Sequence, residues 1–357
     1  MSVRWPWRRP SSSARLVVSW ADGVLSYVVA KPLGGERFEI KAAGVERRGD
    51  DALEAFAARL AALGLKGLAA QAMLRPAQYQ FLQIDAPQVP PEEMRAAARY
   101  QIKDLVTAHI DDITLDVLKV GDGQYKAGEL LFVVAAANAV VRELLDLSDA
   151  MQWDVRVVDV QETAQRNLQQ LLARTEGRAE RADALLTMAD DRQGLLTISA
   201  NDELFFTRRL DLPVGFMAMS WGDSGAAPVA EQAYVPVGEY VPDYAVGGEA
   251  FGADYSAGMV DYSATGQGAH QRVVVELQRS LDLWDRTWRD LPLQGLRVAA
   301  GERSAEMVQW LARELGMVVQ AIDLSAQFPG WAALPAGERM ECWPLLGLLL
   351  RTETRTL

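Results

Sequence analysis

Short apolar runs alternate with helical stripes along most of this chain. Residues 16–19 and 25–30 are rich in β-branched side chains and flank Ala21-Asp22-Gly23. Asp-Gly between two such runs predicts a hairpin, and a third strand is expected near residues 38–41. Leu53, Phe56, Leu60 and Leu63 then recur at helical spacing over residues 51–63.

Residues 79–85 read as a strand ending in Ala-Pro. Pro90-Pro91-Glu92-Glu93 opens a helix, with proline at the first turn and acids against the N-terminal dipole. Met94, Ala98, Ile102 and Leu105 continue it inward. Residues 113–120 and 129–136 form a strand pair across Gly121-Asp122-Gly123, and residues 140–150 a helix. This block reads β-α-β-β-α, a small α+β module.

A strand at 155–160 leads into a helix at 162–174. Residues 184–188, 194–199 and 204–210 then repeat the opening meander. A helix at 271–289 turns Val274, Leu277, Leu281, Trp284 and Trp288 inward, and Trp310 is expected in the core as well. A strand at 297–300, a helix at 303–315, a strand at 318–322 and a short apolar helix at 343–351 follow. The duplication predicts an α/β (α+β) fold of two lobes, each opening with a meander, with an α+β insert in the first. The first lobe takes residues 16–80, 154–180 and 343–357, the insert 81–153 and the second lobe 181–342.

Two segments fit no packed element. Residues 1–15 carry Arg4, Trp5, Trp7, Arg8 and Arg9 without an acid. Tryptophan sits well at headgroup level and arginine is drawn to anionic lipid, so weak membrane-surface contact is one reading. A solvated tail is the other, and Pro6 and Pro10 forbid a long amphipathic helix. Residues 215–270 have ten glycines, five tyrosines, seven acids and no Lys or Arg. Their YVPVGEYVPDY run at 234–244 reads as a flexible acidic loop, either a bare insertion or a docking strip for a basic partner.

With 357 residues the chain has room for about two domains. A net charge of −12 argues against nucleic acid as partner, since that binding needs a basic footprint. The single cysteine, Cys342, excludes an internal disulfide and reads as a buried thiol. His109 and His270 have no metal-ligand spacing. The apolar stretch 130–141 is too short to span a membrane. With no secretory signal in view, the expected place is the cytoplasm. Arg95, Arg99 and Lys103 lie at i, i+4, i+8, a basic stripe that is either a solvated face or a contact for a partner peptide or anionic lipid.

Four stretches together resemble one family. They are LQIDAP at 82–87 with PPEEMRAAARYQIKDL at 90–105, VVDVQETAQRNL at 157–168, ELQRSLD at 276–282, and PLLGLLLR at 344–351. In order and spacing they resemble PilM-type pilus proteins, in particular MshI of the mannose-sensitive haemagglutinin (MSHA) pilus. The resemblance implies the actin-like ATPase (ribonuclease H-like) fold in the style of FtsA. It implies a protein peripheral to the inner membrane that docks the short cytoplasmic N-terminus of a PilN-like (MshJ-like) membrane protein.

Against the nucleotide-binding members of that fold, the two phosphate loops are degenerate. Ser19 stands where the first aspartate belongs, Ala21 where its glycine belongs and Ser26 where its lysine belongs, around Asp22 and Gly23. Thr187 and Ala189 replace the second Asp-x-Gly, and Gly301 alone remains of the adenosine-loop glycine pair. Without those carboxylates Mg²⁺ has nothing to organise it and a triphosphate binds poorly. The expectation is a scaffold with no catalytic residue and no ATP or Mg²⁺ cofactor. An ATP-binding switch of the same fold is the alternative, should Asp22, Asp190 or Asp191 supply the charge.

Overall fold

The computed structural model describes residues 14–121, 130–178, 181–188, 192–221 and 266–351, the first four of the last range by backbone alone. Strands β1 (Arg15–Ala21), β2 (Val24–Gly34) and β3 (Arg37–Arg47) form the first meander. Ala21 pairs with Val24 across Asp22 (φ 51°) and Gly23 (φ 71°), the two left-handed positions of a type I′ hairpin turn. Helix α1 (Leu53–Ala62) leads to β4 (Ala69–Leu74). The insert follows as β5 (Tyr79–Asp85), α2 (Met94–Ile102), β6 (Ile113–Lys119), β7 (Leu130–Ala137) and α3 (Asn138–Met151). Strand β8 (Asp154–Val160) closes the first sheet and runs into α4 (Gln161–Thr175).

The second lobe repeats the plan with β9 (Ala182–Met188), β10 (Gln193–Ala200), β11 (Glu203–Asp211), α5 (Gly266–Thr287), β12 (Leu293–Ala299), α6 (Ser304–Leu315) and β13 (Val319–Ala321). Helices α7 (Ala336–Cys342) and α8 (Leu346–Leu349) end the described chain. The sheet orders are β3-β2-β1-β4-β8 and β11-β10-β9-β12-β13. In each, three antiparallel strands are followed by two parallel ones. This duplicated topology is the actin-like ATPase fold.

Strand β1 shows why its residues are almost all apolar. Alternate side chains point to opposite faces, and both faces are covered. Leu16, Val18 and Trp20 pack with Phe56 and Leu60 of α1. Val17 packs with Ala164 and Leu168 of α4 and with Leu346 of α8.

Several boundaries differ from the sequence reading. Strand β4 is missing from that reading, because Ala-Ala-Gln-Ala-Met-Leu has no β-branched residue. Leu63 and Leu105 fall just beyond their helices and are exposed. Helix α3, expected with the insert, packs Leu144, Leu147 and Met151 on Phe56 and Leu60 of the first lobe. Residues 322–342, expected with the second lobe, return to the first. There Phe38 N donates to Gln327 O (2.9 Å), Ile40 N donates to Pro329 O (2.9 Å), and Phe328 and Trp331 join the core with Phe38.

The insert sheet, in the order β5-β7-β6, packs Ile84, Val117 and Val133 on Ala98 and Ile102 of α2. It also reaches the second lobe. Gly121 N donates to Leu204 O (2.8 Å), and Phe132 and Phe205 share one core. The margins of the acidic segment are folded: Phe216 and Trp221 are buried, and α5 already begins at Gly266. Residues 222–265 lie outside the described residues.

Candidate functional site

Ser19 and Ser26 are register partners on β1 and β2, and both are buried. Between them lies the guanidinium of Arg75, the residue directly after β4. Its Nε donates to Ser19 Oγ (3.3 Å) and its Nη2 to Ser26 Oγ (2.6 Å). Its Nη1 donates to Glu341 Oε2 on α7 (3.3 Å). Gln78 fixes the base of this side chain. Its Oε1 accepts from Arg75 N (2.8 Å) while its Nε2 donates to the Trp20 carbonyl (2.9 Å). The Gly23 carbonyl accepts from Arg48 N (2.7 Å). Ala21 is buried and Asp22 exposed at the turn.

On the second lobe, Thr187 Oγ1 donates to Gln165 Oε1 (2.9 Å), and Gln165 Nε2 donates to the carbonyls of Leu185 (2.7 Å) and Leu195 (3.1 Å). Ala189, Asp190 and Asp191 lie outside the described residues. Gly301 takes a left-handed φ of 59° in the turn that opens α6, where Ser304 Oγ accepts from Ala300 N (2.9 Å). Thr187, Gly301 and Ser304 line a cavity of about 210 Å³ together with Trp331, Met340 and Trp343 of the returning segment. Arg339 and Glu302 face each other there at 3.4 Å. Ser19, Ala21, Asp22 and Gly23 are not among its walls.

Mg²⁺ needs a nearly octahedral set of oxygen ligands, usually built on one or two carboxylates. Ser19 of β1 and Thr187 of β9 are hydroxyls already engaged by Arg75 and Gln165, and the charge that meets Ser19 is positive. Among the described residues no group of three or more His, Cys, Asp or Glu side chains could hold a metal ion. Ser19 and Thr187 themselves offer a magnesium ion no carboxylate.

Helix α4 is unusual in burying its polar face. Gln161, Glu162, Thr163, Gln165, Arg166, Asn167 and Gln169 are all buried. Burying such groups is costly unless each finds a partner, and the partners come from both lobes. Gln169 Nε2 donates to Asp183 O (2.5 Å), and its Oε1 accepts from Thr197 Oγ1 (2.8 Å). Asn167 Nδ2 donates to Gly347 O (3.0 Å). Asp159 is paired with Arg351. Glu162, fully buried, accepts from the Tyr79 hydroxyl of β5 and from Arg209 Nη2 of β11 (3.0 Å). The Arg209 guanidinium lies 4.7 Å from the Tyr79 ring centroid and donates to Pro76 O (2.8 Å). Burial, and then the Glu162 charge, push the Tyr79 hydroxyl well above its usual range, so it is a neutral donor. Insert, central helix and second lobe thus meet at one charged junction.

The basic stripe on α2 is divided. Arg95 pairs with Asp116 (3.0 Å), both groups about half exposed. Arg99 turns inward and donates to the carbonyls of Ile110 (2.5 Å) and Ile113 (3.2 Å). Lys103 is exposed, 4.9 Å from the Tyr100 ring centroid. Arg4, Trp5, Trp7, Arg8 and Arg9 lie outside the described residues. Cys342 is fully buried against the carbonyls of Tyr27 and Gly44. No helix among the described residues is long and apolar enough to cross a membrane. The sequence reading missed Arg75, Tyr79 and Arg209. Only Arg75 carried a local signal, an arginine placed between an apolar stretch and Pro76.

No protein-family model matches the chain, and no curated protein matches it. Among solved structures, a chain of the PilM–PilN type IV pilus biogenesis complex superposes with a TM-score of 0.61 at 17% identity, over 96% of this chain and 98% of that one. The cytoplasmic domain of EpsL, an inner-membrane component of the type II secretion system of Vibrio cholerae, has a TM-score of 0.38 at 18% identity, over 60% of this chain and 79% of that one. A Bacteroides thetaiotaomicron protein with an actin-like ATPase fold has a TM-score of 0.47 at 8% identity, over 94% and 96%.

Proposed function

We propose that this chain is a non-catalytic scaffold of a type IV pilus or related secretion platform, working at the cytoplasmic face of the inner membrane and docking the N-terminus of a PilN-like protein. The observation that carries this reading is the agreement of fold over nearly the whole of both chains with a component of the PilM–PilN complex. The motifs at 82–105, 157–168, 276–282 and 344–351 narrow the proposal to an MSHA-type pilus with an MshJ-like partner. The junction of Tyr79, Glu162 and Arg209 suits a scaffold, because it ties the insert to both lobes through a buried tyrosine and glutamate and a partly buried arginine that satisfy one another.

Neither ATP nor Mg²⁺ takes part in this reading. Arg95 and Lys103 are the exposed charges of the insert offered to the partner, and Arg4, Trp5, Trp7, Arg8 and Arg9 add contact with anionic lipid. A fluorescein-labelled peptide of the PilN-like N-terminus from the same organism, titrated with the full chain, tests it. Saturable micromolar binding that weakens in Lys103→Glu supports the reading. An anisotropy that stays flat to high protein concentration sinks it.

A further inference from the structure

We infer that Arg75 is an internal cation that holds the β1–β2 hairpin, the end of β4 and helix α7 in one arrangement without nucleotide. Here the first hairpin presents a buried cross-strand pair of hydroxyls, Ser19 and Ser26. A guanidinium is a rigid planar fork, and this one spans both oxygens with Nε and Nη2 while Nη1 reaches Glu341. Three elements distant in sequence therefore share one cation.

The cation is also fixed from behind. Gln78 clasps the Arg75 amide and the Trp20 carbonyl together, and Trp20 packs on Phe56 at 5.4 Å between ring centroids. Such a side chain is preorganised for its three partners. A carboxylate at position 19 would be consumed by this arginine rather than left to a metal. In the second lobe, Thr187 is held by Gln165 of α4. The Arg339–Glu302 pair joins α7 to the start of α6 across the cavity.

The proposal is independent of the partner reading, since peptide docking and ligand-independence of the hairpin can each fail alone. Its test is hydrogen exchange followed by mass spectrometry on the full chain. In the native protein, millimolar Mg-ATP is expected to leave exchange over residues 19–26 and 336–342 unchanged. Arg75→Ala is expected to speed exchange in both segments by roughly tenfold to a hundredfold, the loss of hydrogen bonds to a charged group, while α5 keeps its protection. Glu341→Gln, which keeps shape and volume, speeds exchange in the same two segments to a smaller extent. Arg75→Lys fails to restore them, because one ammonium cannot span two hydroxyls and a carboxylate. Protection of either segment by Mg-ATP in the native protein overturns the proposal. So does unchanged exchange in both segments in Glu341→Gln, the variant that stays folded even where Arg75→Ala does not.

Discussion

A Cβ built on Gly347 would lie 2.0 Å from the carbonyl oxygen of Ala164, so helices α8 and α4 meet backbone against backbone. The obstacle is main chain and cannot rotate aside. Gly347→Ala is therefore expected to lose about 1–3 kcal/mol or more, the range for overpacking a tight core. Urea unfolding checks this, and an unchanged midpoint would mean that the helices slide apart freely.

The charged junction on α4 gives a graded pair of expectations. Tyr79→Phe removes one donor to Glu162 and the acceptor of Gln161 N, at a cost of about 1–3 kcal/mol. Arg209→Ala leaves Glu162 buried without its cation and costs more, about 3–5 kcal/mol. Equal stabilities of the two variants would contradict the role assigned to Arg209.

Burial pushes the Cys342 thiol up to about 12 from 9.0. In the unfolded chain it ionises near 9, so between 9 and 12 the folded state alone keeps the proton. Its contribution to stability is present below pH 9 and is lost as pH rises toward 12, by up to about 1.4 kcal/mol per pH unit. A thiol reagent at neutral pH should react only as fast as the protein unfolds. Rapid labelling of the native protein would show the thiol to be open to solvent.

The split of the basic stripe predicts opposite phenotypes for neighbouring residues. Arg99→Ala loses bonds to two carbonyls that hold the start of β6 against α2, and should destabilise the insert by about 1.5–3 kcal/mol. Lys103→Glu should change stability by under about 0.5 kcal/mol, as exposed substitutions do, and should act on peptide affinity instead. Thermal melts beside the anisotropy titration separate the two effects.

Ser19→Asp on its own is expected not to confer Mg-ATP binding in a calorimetric titration. The new carboxylate would stand beside Arg75 Nε, now 3.3 Å from Ser19 Oγ, and pair with it. Heat of binding from this single variant would show that the arginine yields the site to a metal.

Much of the fold is legible in the chain because local chemistry and burial agree. Asp22-Gly23 declares its hairpin, and the repeated meander declares the second lobe. Where they disagree, the pattern misleads. The alanine-rich β4 reads as nothing in particular. The polar stretch of α4 carries no sign in the chain that it is buried, since glutamines gain partners only when β9 and β10 are folded beside them. Residues 322–342 follow the second lobe in sequence, yet their apolar side chains complete the first. For the site, the resemblance directs attention to positions 19 and 187. The arginine bonded to the first of them is 56 residues away from Ser19, and only the fold brings it there.

The central helix has a mechanical consequence. Its glutamines are bonded to backbone carbonyls of β9 and β10, and its Asn167 to the backbone at Gly347. Turning one lobe against the other would shear those buried bonds. A tug on the insert, passed through Tyr79 to Glu162 and on to Arg209, would therefore be shared between both lobes.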